Sequence, residues 1–375
     1  MIRTGKALAR RIIVSLYCLF ASCFIPFFFR KAFRSGELTY LSKSDYCIWK
    51  NAMLKMLRFN GFHGGRPGMQ VVMTFLKARI EVIRQSAPPD IRIPIVVLCV
   101  KNDLRRLRML TDHYRGLGIE RFAILDNGSE DGTFEWCLEQ ADMDLYRCTE
   151  SYRTLVKEGW INRIVSCYGF NRWYILTDSD ELLVYSGMET HPLPDLVHYA
   201  EAHHISRIRA LVLDAYPDHP LFEKTDDIKA SFRWIDTDSY REHLFFNGSI
   251  PLKGMVGGPR FRLMGSDVSL SKFPLIFFEP GTVSETAHYQ FPSGCVKSSP
   301  YQVGILHYKF MDGDLDEYRA RAEEKRGFAH HGGNYKKYLE YIRDHENITF
   351  MYEGSHEFTD SGVLDRISVL DPIRL

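Results

Sequence analysis

The chain has 375 residues, 48 Lys and Arg against 47 Asp and Glu, 45% hydrophobic and 13% aromatic residues. That is a globular composition, enough for one large domain or two ordinary ones. It lacks the concentrated cationic excess that a nucleic-acid binder needs, so nucleic acid is excluded as a partner. None of the eight cysteines forms a C-x-x-C pair, which removes zinc-site spacing and points to buried thiols in a reducing compartment.

The first 34 residues stand apart. Arg3, Lys6, Arg10, Arg11, Arg30, Lys31 and Arg34 carry seven positive charges with no acid among them. Between Arg11 and Arg30 the apolar to weakly polar run from Ile12 to Phe29 is just long enough to cross a bilayer as a helix. No A-x-A-like cleavage site follows it, which disfavours a signal peptide. Pro26 would kink a helix, so a membrane hairpin or an interfacial helix fits as well. Residues 1–36 are therefore expected to associate with a membrane, the rest of the protein lying on its cytoplasmic face.

Residues 38–86 read as two helices, broken at the glycine-rich stretch from Gly61 to Gly68. Pro88-Pro89 punctuate the chain, and a domain boundary is expected there, with 37–90 as a helical region. From Ile93 strands and helices alternate. IPIVVLCV (93–100) is a fully buried strand; 103–117 a helix; RFAIL (121–125) a second strand; 133–140 a helix; 144–147 a third strand; 154–168 a helix; and RWYILT (172–177) a fourth strand. This pattern predicts an α/β fold with a doubly wound, mostly parallel sheet and helices on both faces. Residues 207–213 read as another strand, 230–310 as strands and long loops, and 314–345 as helix with Glu317, Arg321, Glu324 and Lys325 on a solvated face. The expected units are 91–312, in halves 91–185 and 186–312, followed by a helical extension 313–375; no internal repeat is present.

Open α/β sheets bind ligands beyond the carboxyl ends of their strands. Three polar clusters fall there: Lys101-Asn102-Asp103, Asp126-Asn127-Gly128-Ser129 and Asp178-Ser179-Asp180. D-x-D triplets arise by chance, and Asp142/Asp144, Asp236/Asp238, Asp312/Asp314 and Asp314/Asp316 also match. Only Asp178/Asp180 directly follows an apolar strand and precedes another apolar run, 182–185. Two carboxylates at a strand end can hold a hard divalent cation, which would neutralise a diphosphate leaving group.

The segment HYRGLGIERFAILDNGSEDGT (113–133) resembles the second-strand signature of family 2 glycosyltransferases and their GT-A relatives. The block 157–185, with Gly159, Trp160, Asn162 and WYILTDSDELLVY, is similar to that family's helix and metal-binding strand. The branch with a Lys-Asn-acid first loop is the nearest in pattern. The resemblance spans about 93–310 and implies a GT-A fold and an inverting sugar transfer from a nucleoside diphosphate sugar, with Mn2+ or Mg2+, to a glycan or lipid-linked acceptor. It implies that Asp126 meets a uracil-type base flanked by Asn102 and the backbone near Val100. Asp178 would approach the ribose or the metal, and Asp180 would ligate the metal. His307 would complete the metal shell and Lys309 would contact phosphate. Gly128, Lys157, Asn162 and Ser179 fall in the matching blocks and go with the nucleotide-sugar site, whereas Trp160 reads as core. His307 and Lys309, two apart on a strand-like run, share a face. Arg260 and Arg262 are basic candidates for phosphate or acceptor, and 286–292 has sugar-site chemistry.

The catalytic base should be a carboxylate across the crevice from the metal. Asp214, closing the 207–213 strand, is the first candidate and Glu285 the second; a turn-capping role for Asp214 is equally open. No Gly-rich phosphate loop follows the first strand, which speaks against a nucleotidyltransferase. The expected function is metal-dependent glycosyl transfer in cell-surface glycan or polysaccharide synthesis. The alternative is a non-catalytic glycan- or nucleotide-binding protein on the same fold.

Overall fold

The computed structural model describes residues 23–375 apart from 35, 37, 39, 64–67, 248, 293–298, 324–332 and 346. Three helices come first: α1 (23–34), α2 (Lys43–His63) and α3 (Met69–Lys77). The alternating stretch follows: β1 (Glu81–Arg84), β2 (Ile95–Val100), α4 (Leu104–Gly116), β3 (Phe122–Asp126), α5 (Thr133–Glu139), β4 (Met143–Arg147), α6 (Thr154–Tyr168), β5 (Arg172–Leu176), β6 (Glu181–Val184), α7 (Leu193–Ala202) and β7 (Arg207–Asp214). The remainder holds α8 (Ile228–Ser231), β8 (Trp234–Asp236), the hairpin β9 (Arg241–Asn247) and β10 (Ile250–Val256), and α9 (Gly258–Met264). Then come β11 (Ser271–Phe278), β12 (Val283–Thr286), β13 (Tyr289–Phe291), β14 (Val303–His307), α10 (Asp314–Glu323), α11 (Gly333–Asp344) and β15 (Ser355–Glu357).

Nine strands form one sheet in the order β1-β4-β3-β2-β5-β11-β7-β14-β6. β4, β3, β2 and β5 are mutually parallel. β11 runs against both β5 and β7, so β7 runs with β5, and β14 is parallel to β7. β1 and β6 are antiparallel edge strands. The result is the mixed α/β, mostly parallel sheet that the alternating pattern predicts.

The apolar run in β2 is continuous because both its faces are covered. Val96, Leu98 and Val100 enter one core with α4 and α7, while Ile95 and Val97 enter a second with α2, α3 and α6. β3 splits the same way, Phe122 and Ile124 to the first core and Ala123 and Leu125 to the second.

One expectation is revised. Residues 81–84 are not helical: Glu-Val-Ile-Arg lies extended and pairs with the free edge of β4. The apolar faces of α2 and α3 join the sheet's second core. The backbones of α3 and α6 meet so closely that a Cβ at Gly159 would lie 2.4 Å from Thr74 Cβ and 2.8 Å from Val71 O.

The apolar N-terminal run falls partly outside the described residues, which begin at Cys23. Its last turns are docked rather than free. Ile25, Phe29 and Ala32 are buried in the second core, with Phe29 against Phe75 and Tyr46. Among the described residues no helix is long and apolar enough to cross a membrane.

Candidate metal centre

A cleft of about 1110 Å³ opens at the carboxyl ends of the parallel strands. Its walls come from Val100–Asp103 after β2, Asp178–Glu181 after β5, and His307 and Lys309 at the end of β14. Arg321 of α10 and Tyr335 of α11 close it.

The turn after β5 is built locally. Thr177 Oγ1 donates to Glu181 O at 3.1 Å and the Glu181 amide to Asp178 O at 3.2 Å, reversing the chain into β6. Register then aligns three side chains. β14 pairs His307 with Glu181 on one side and with Asp214 on the other. The Tyr308 amide donates to Asp180 O at 2.8 Å, tying the turn to β14.

Asp180 Oδ2 lies 3.2 Å from His307 Nε2. One donor atom each from Asp180, Glu181 and His307 lies within 4.8 Å of the others. Among the described residues Glu181 Oε2 is buried without a hydrogen-bond partner, so the cluster contains an oxygen that a cation would satisfy. Two carboxylates and an imidazole suit Mn2+ or Mg2+, and the residues present fit a hard divalent ion. Behind them, His307 Nδ1 donates to Asp214 Oδ1 at 2.7 Å, and Arg260 Nε to Asp214 Oδ2 at 2.7 Å. A carboxylate on Nδ1 fixes the ring so that Nε2 faces Asp180. Burial lowers the His307 pKa, but Asp180 and Asp214 outweigh it and hold it above the usual value. Burial raises the carboxyl of Asp180, but His307, Lys309 and Arg106 hold it well below the usual range.

Asp178 is not part of this donor set. Its carboxylate is taken by Lys157 and, at 3.3 Å, by Lys272, which also pairs with Glu181. Burial raises its pKa, and the two lysines more than reverse that. The candidate donor group is Asp180, Glu181 and His307, while Asp178 lines the cleft paired with two lysines.

Val100, Asn102, Lys157, Ser179 and Lys309 all line the cleft. Ser179 Oγ donates to Asp103, whose carboxyl is pushed up to about 6 by burial against the opposing pull of Arg106. Lys309 holds its ammonium 5.3 and 5.4 Å from the ring centroids of Tyr318 and Tyr335.

Four expected site residues lie elsewhere. Asp126 is fully buried, and its carboxylate accepts from the amides of Gly128 (3.0 Å) and Ser129 (3.2 Å), which gives it the turn-forming role. Gly128 supplies the left-handed residue of that turn (φ 77°). Asn162 is buried, donating to Glu158 O and Ser284 O and accepting from the Ser284 amide, so it pins β12 to α6. Glu285 is buried against Asn60 at 2.8 Å and Asn247 at 3.5 Å, away from the cleft. Asp214 lies next to the site but behind His307, with both oxygens occupied. Neither candidate base lines the cleft.

Acids of the other triplets are paired with arginines, and Asp312 and Asp314 also line the cleft. Asp142 pairs with Arg115, Asp144 with Arg121, Asp236 with Arg262, Asp312 with Arg105, Asp314 with Arg106 and Asp316 with Arg319. Arg262 therefore belongs to a cluster with Asp236, while Arg260 lines the cleft and holds Asp214. From the 286–292 stretch, Ala287 and His288 reach the wall.

Sequence reasoning missed Glu181, Arg106, Lys272, Arg321 and Tyr335. Glu317 and Arg321, assigned there to a solvated face, line the cleft, whereas Glu324 and Lys325 lie outside the described residues. Lys272 left a signal: it is a single cation inside the buried strand SKFPLIFF.

No protein-family model matches the sequence, and no curated protein matches it. Among solved structures, the chain is similar to a mannosyltransferase from Pyrobaculum calidifontis in complex with GDP-Man and Mn2+. Identity is 13% over 84% of this chain and 79% of that one, with a TM-score of 0.30. A superposition that loose carries no argument about substrate or metal.

Proposed function

We propose that the cleft binds a nucleoside diphosphate sugar with a divalent cation, Mn2+ or Mg2+, and transfers the sugar to an acceptor hydroxyl. The observation that carries this reading is the convergence of Asp180, Glu181 and His307, one oxygen of Glu181 orphaned, inside a wall of Lys157, Lys272, Lys309, Arg106 and Arg321. A diphosphate needs both a cation and fixed positive charge. When bound, the metal would offset charge developing on the departing diphosphate.

The protein's own residues divide the remaining work. Asp214 keeps His307 Nε2 turned into the cleft. Lys157 and Lys272 hold Asp178 ionised beside the metal donors. Lys309 and Arg321, framed by Tyr335, present positive charge to phosphate oxygens. The loop Val100–Asp103 is the wall for the nucleoside. A base for the acceptor must reach the cleft, which Asp103 does; with a carboxyl at about 6 it can take a proton near neutrality. Inversion at the anomeric carbon and a glycan or lipid-linked acceptor follow from the sequence resemblance.

The test is nucleotide release from a panel of nucleoside diphosphate sugars, with and without Mn2+. Wild type should release from at least one donor only with metal. Asp180→Asn should fall by on the order of 100-fold or more, while Asp142→Asn should behave as wild type. Equal release by Asp180→Asn and wild type, or no metal-dependent release from any donor, ends the reading.

A further inference from the structure

The near-zero net charge hides a partition. Residues 1–79 carry 14 Lys and Arg and two acids, Glu37 and Asp45; residues 80–375 carry 34 Lys and Arg against 45 acids. A charge asymmetry this steep marks a surface for an anionic partner. The described positive part is α1–α3, which cover one face of the sheet.

α1 is two-faced. Ile25, Phe29 and Ala32, at helical spacing, are buried against the protein. On the outer side Phe24 and Phe27 are 45% and 62% exposed. Arg30, Lys31 and Arg34 are exposed on the following turns. Further cations surround it: Lys77 Nζ lies 5.9 Å from the Phe28 ring, and Lys50 Nζ 5.6 Å from the ring of Tyr46, which packs on Phe29 and Phe33. The sequence before α1 continues both themes, with Arg10 and Arg11 followed by the apolar run from Ile12.

A polar partner would use the cations and leave the phenylalanines in water. An apolar partner would bury the phenylalanines but set the neighbouring cations against an apolar surface. A bilayer with anionic headgroups satisfies both at once, because apolar side chains reach the acyl boundary while cations stay at phosphate level. The buried face of α1 is committed to the protein, so the helix lies along the interface.

We propose that the outer face of α1, with Lys77, is a docking surface for an anionic lipid bilayer, entered by Phe24 and Phe27 and held by Arg30, Lys31 and Arg34. This surface is independent of the proposed transfer reaction and is read by binding alone.

The test is co-sedimentation of the full-length chain with vesicles of phosphatidylcholine containing phosphatidylglycerol, against pure phosphatidylcholine, at about 0.1 M salt. Binding is expected to the anionic vesicles and to weaken steeply with salt. Arg30→Glu/Lys31→Glu/Arg34→Glu should weaken it by roughly 100-fold or more. Phe24→Ser/Phe27→Ser should weaken it by about 10-fold or more. Both variants should unfold thermally like wild type, since the altered side chains point outward. Equal binding to neutral vesicles, wild-type binding by either variant, or displacement from vesicles by a single-stranded oligonucleotide at equal charge would overturn the proposal.

Discussion

His307 is held from both sides, with Asp180 on Nε2 and Asp214 on Nδ1. Burial raises the Asp214 carboxyl, but Arg260 and then His307 outweigh it and hold it at about 2. A depressed carboxyl contributes stability above its unfolded value of 3.8, and that stability is lost as pH falls toward 2. Between pH 5 and pH 3 the loss from this one group is about 1 kcal/mol. Asp214→Asn should therefore flatten that part of a urea-unfolding profile. At neutral pH it should cost about 3–5 kcal/mol, because Arg260 is left buried and unpaired. Mn2+ affinity by calorimetry should fall about 10- to 100-fold. Unchanged metal affinity would make Asp214 purely structural. Asp180 was legible in the sequence because it directly follows a buried strand. Asp178 looked equivalent, but its fate depends on Lys272, 94 residues away on β11, and no local pattern carries that distance. Asp214 was marked as a candidate acid, but its place beside His307 is set by strand register, which local sequence does not carry.

At the scale of elements, buried strands were the clearest signal, since covering on both faces demands unbroken apolar runs such as that of β2. β1 was missed because a short edge strand that is only partly covered has no such run; its burial is half exposed, half intermediate. The α3–α6 contact explains a residue the sequence only marked. Gly159 lies where the two helices touch, and any Cβ there meets Thr74 and the Val71 carbonyl oxygen, a backbone atom that cannot step aside. Gly159→Ala should cost roughly 2–3 kcal/mol through overpacking, although alanine is the better helix former. Urea unfolding measures it. A stabilised variant would mean that α3 can shift outward freely. Since α6 also carries Lys157, such a shift would move a cation of the cleft wall.

Across the whole molecule, two cores flank one sheet, and the N-terminal helices complete the second. Pro88-Pro89 read as a domain boundary because proline pairs mark breaks; here they mark only the connection between β1 and β2, two strands of one sheet. What joins the helices to the sheet is aromatic packing that composition cannot reveal. Trp49 of α2 lies 5.0 Å from Phe75 of α3, 4.9 Å from Phe170 and 6.4 Å from Phe278 of β11. Phe29 of α1 closes this group over Phe75. The apolar N-terminus is thus divided between two solvents, protein and, by the docking proposal, lipid, and truncation separates them. Removing residues 1–22 leaves every described contact of α1 in place and provides the reference chain. Removing residues 1–36 strips Ile25, Phe29 and Ala32 from the second core. At about 1.5–3 kcal/mol for each large apolar side chain, the loss should approach 5 kcal/mol and expose a face that aggregates. Thermal unfolding and gel filtration of the two truncations decide it. If the shorter chain is as stable and monodisperse as the longer one, α1 is not part of the folded core, and the whole apolar run is free to act as a membrane segment.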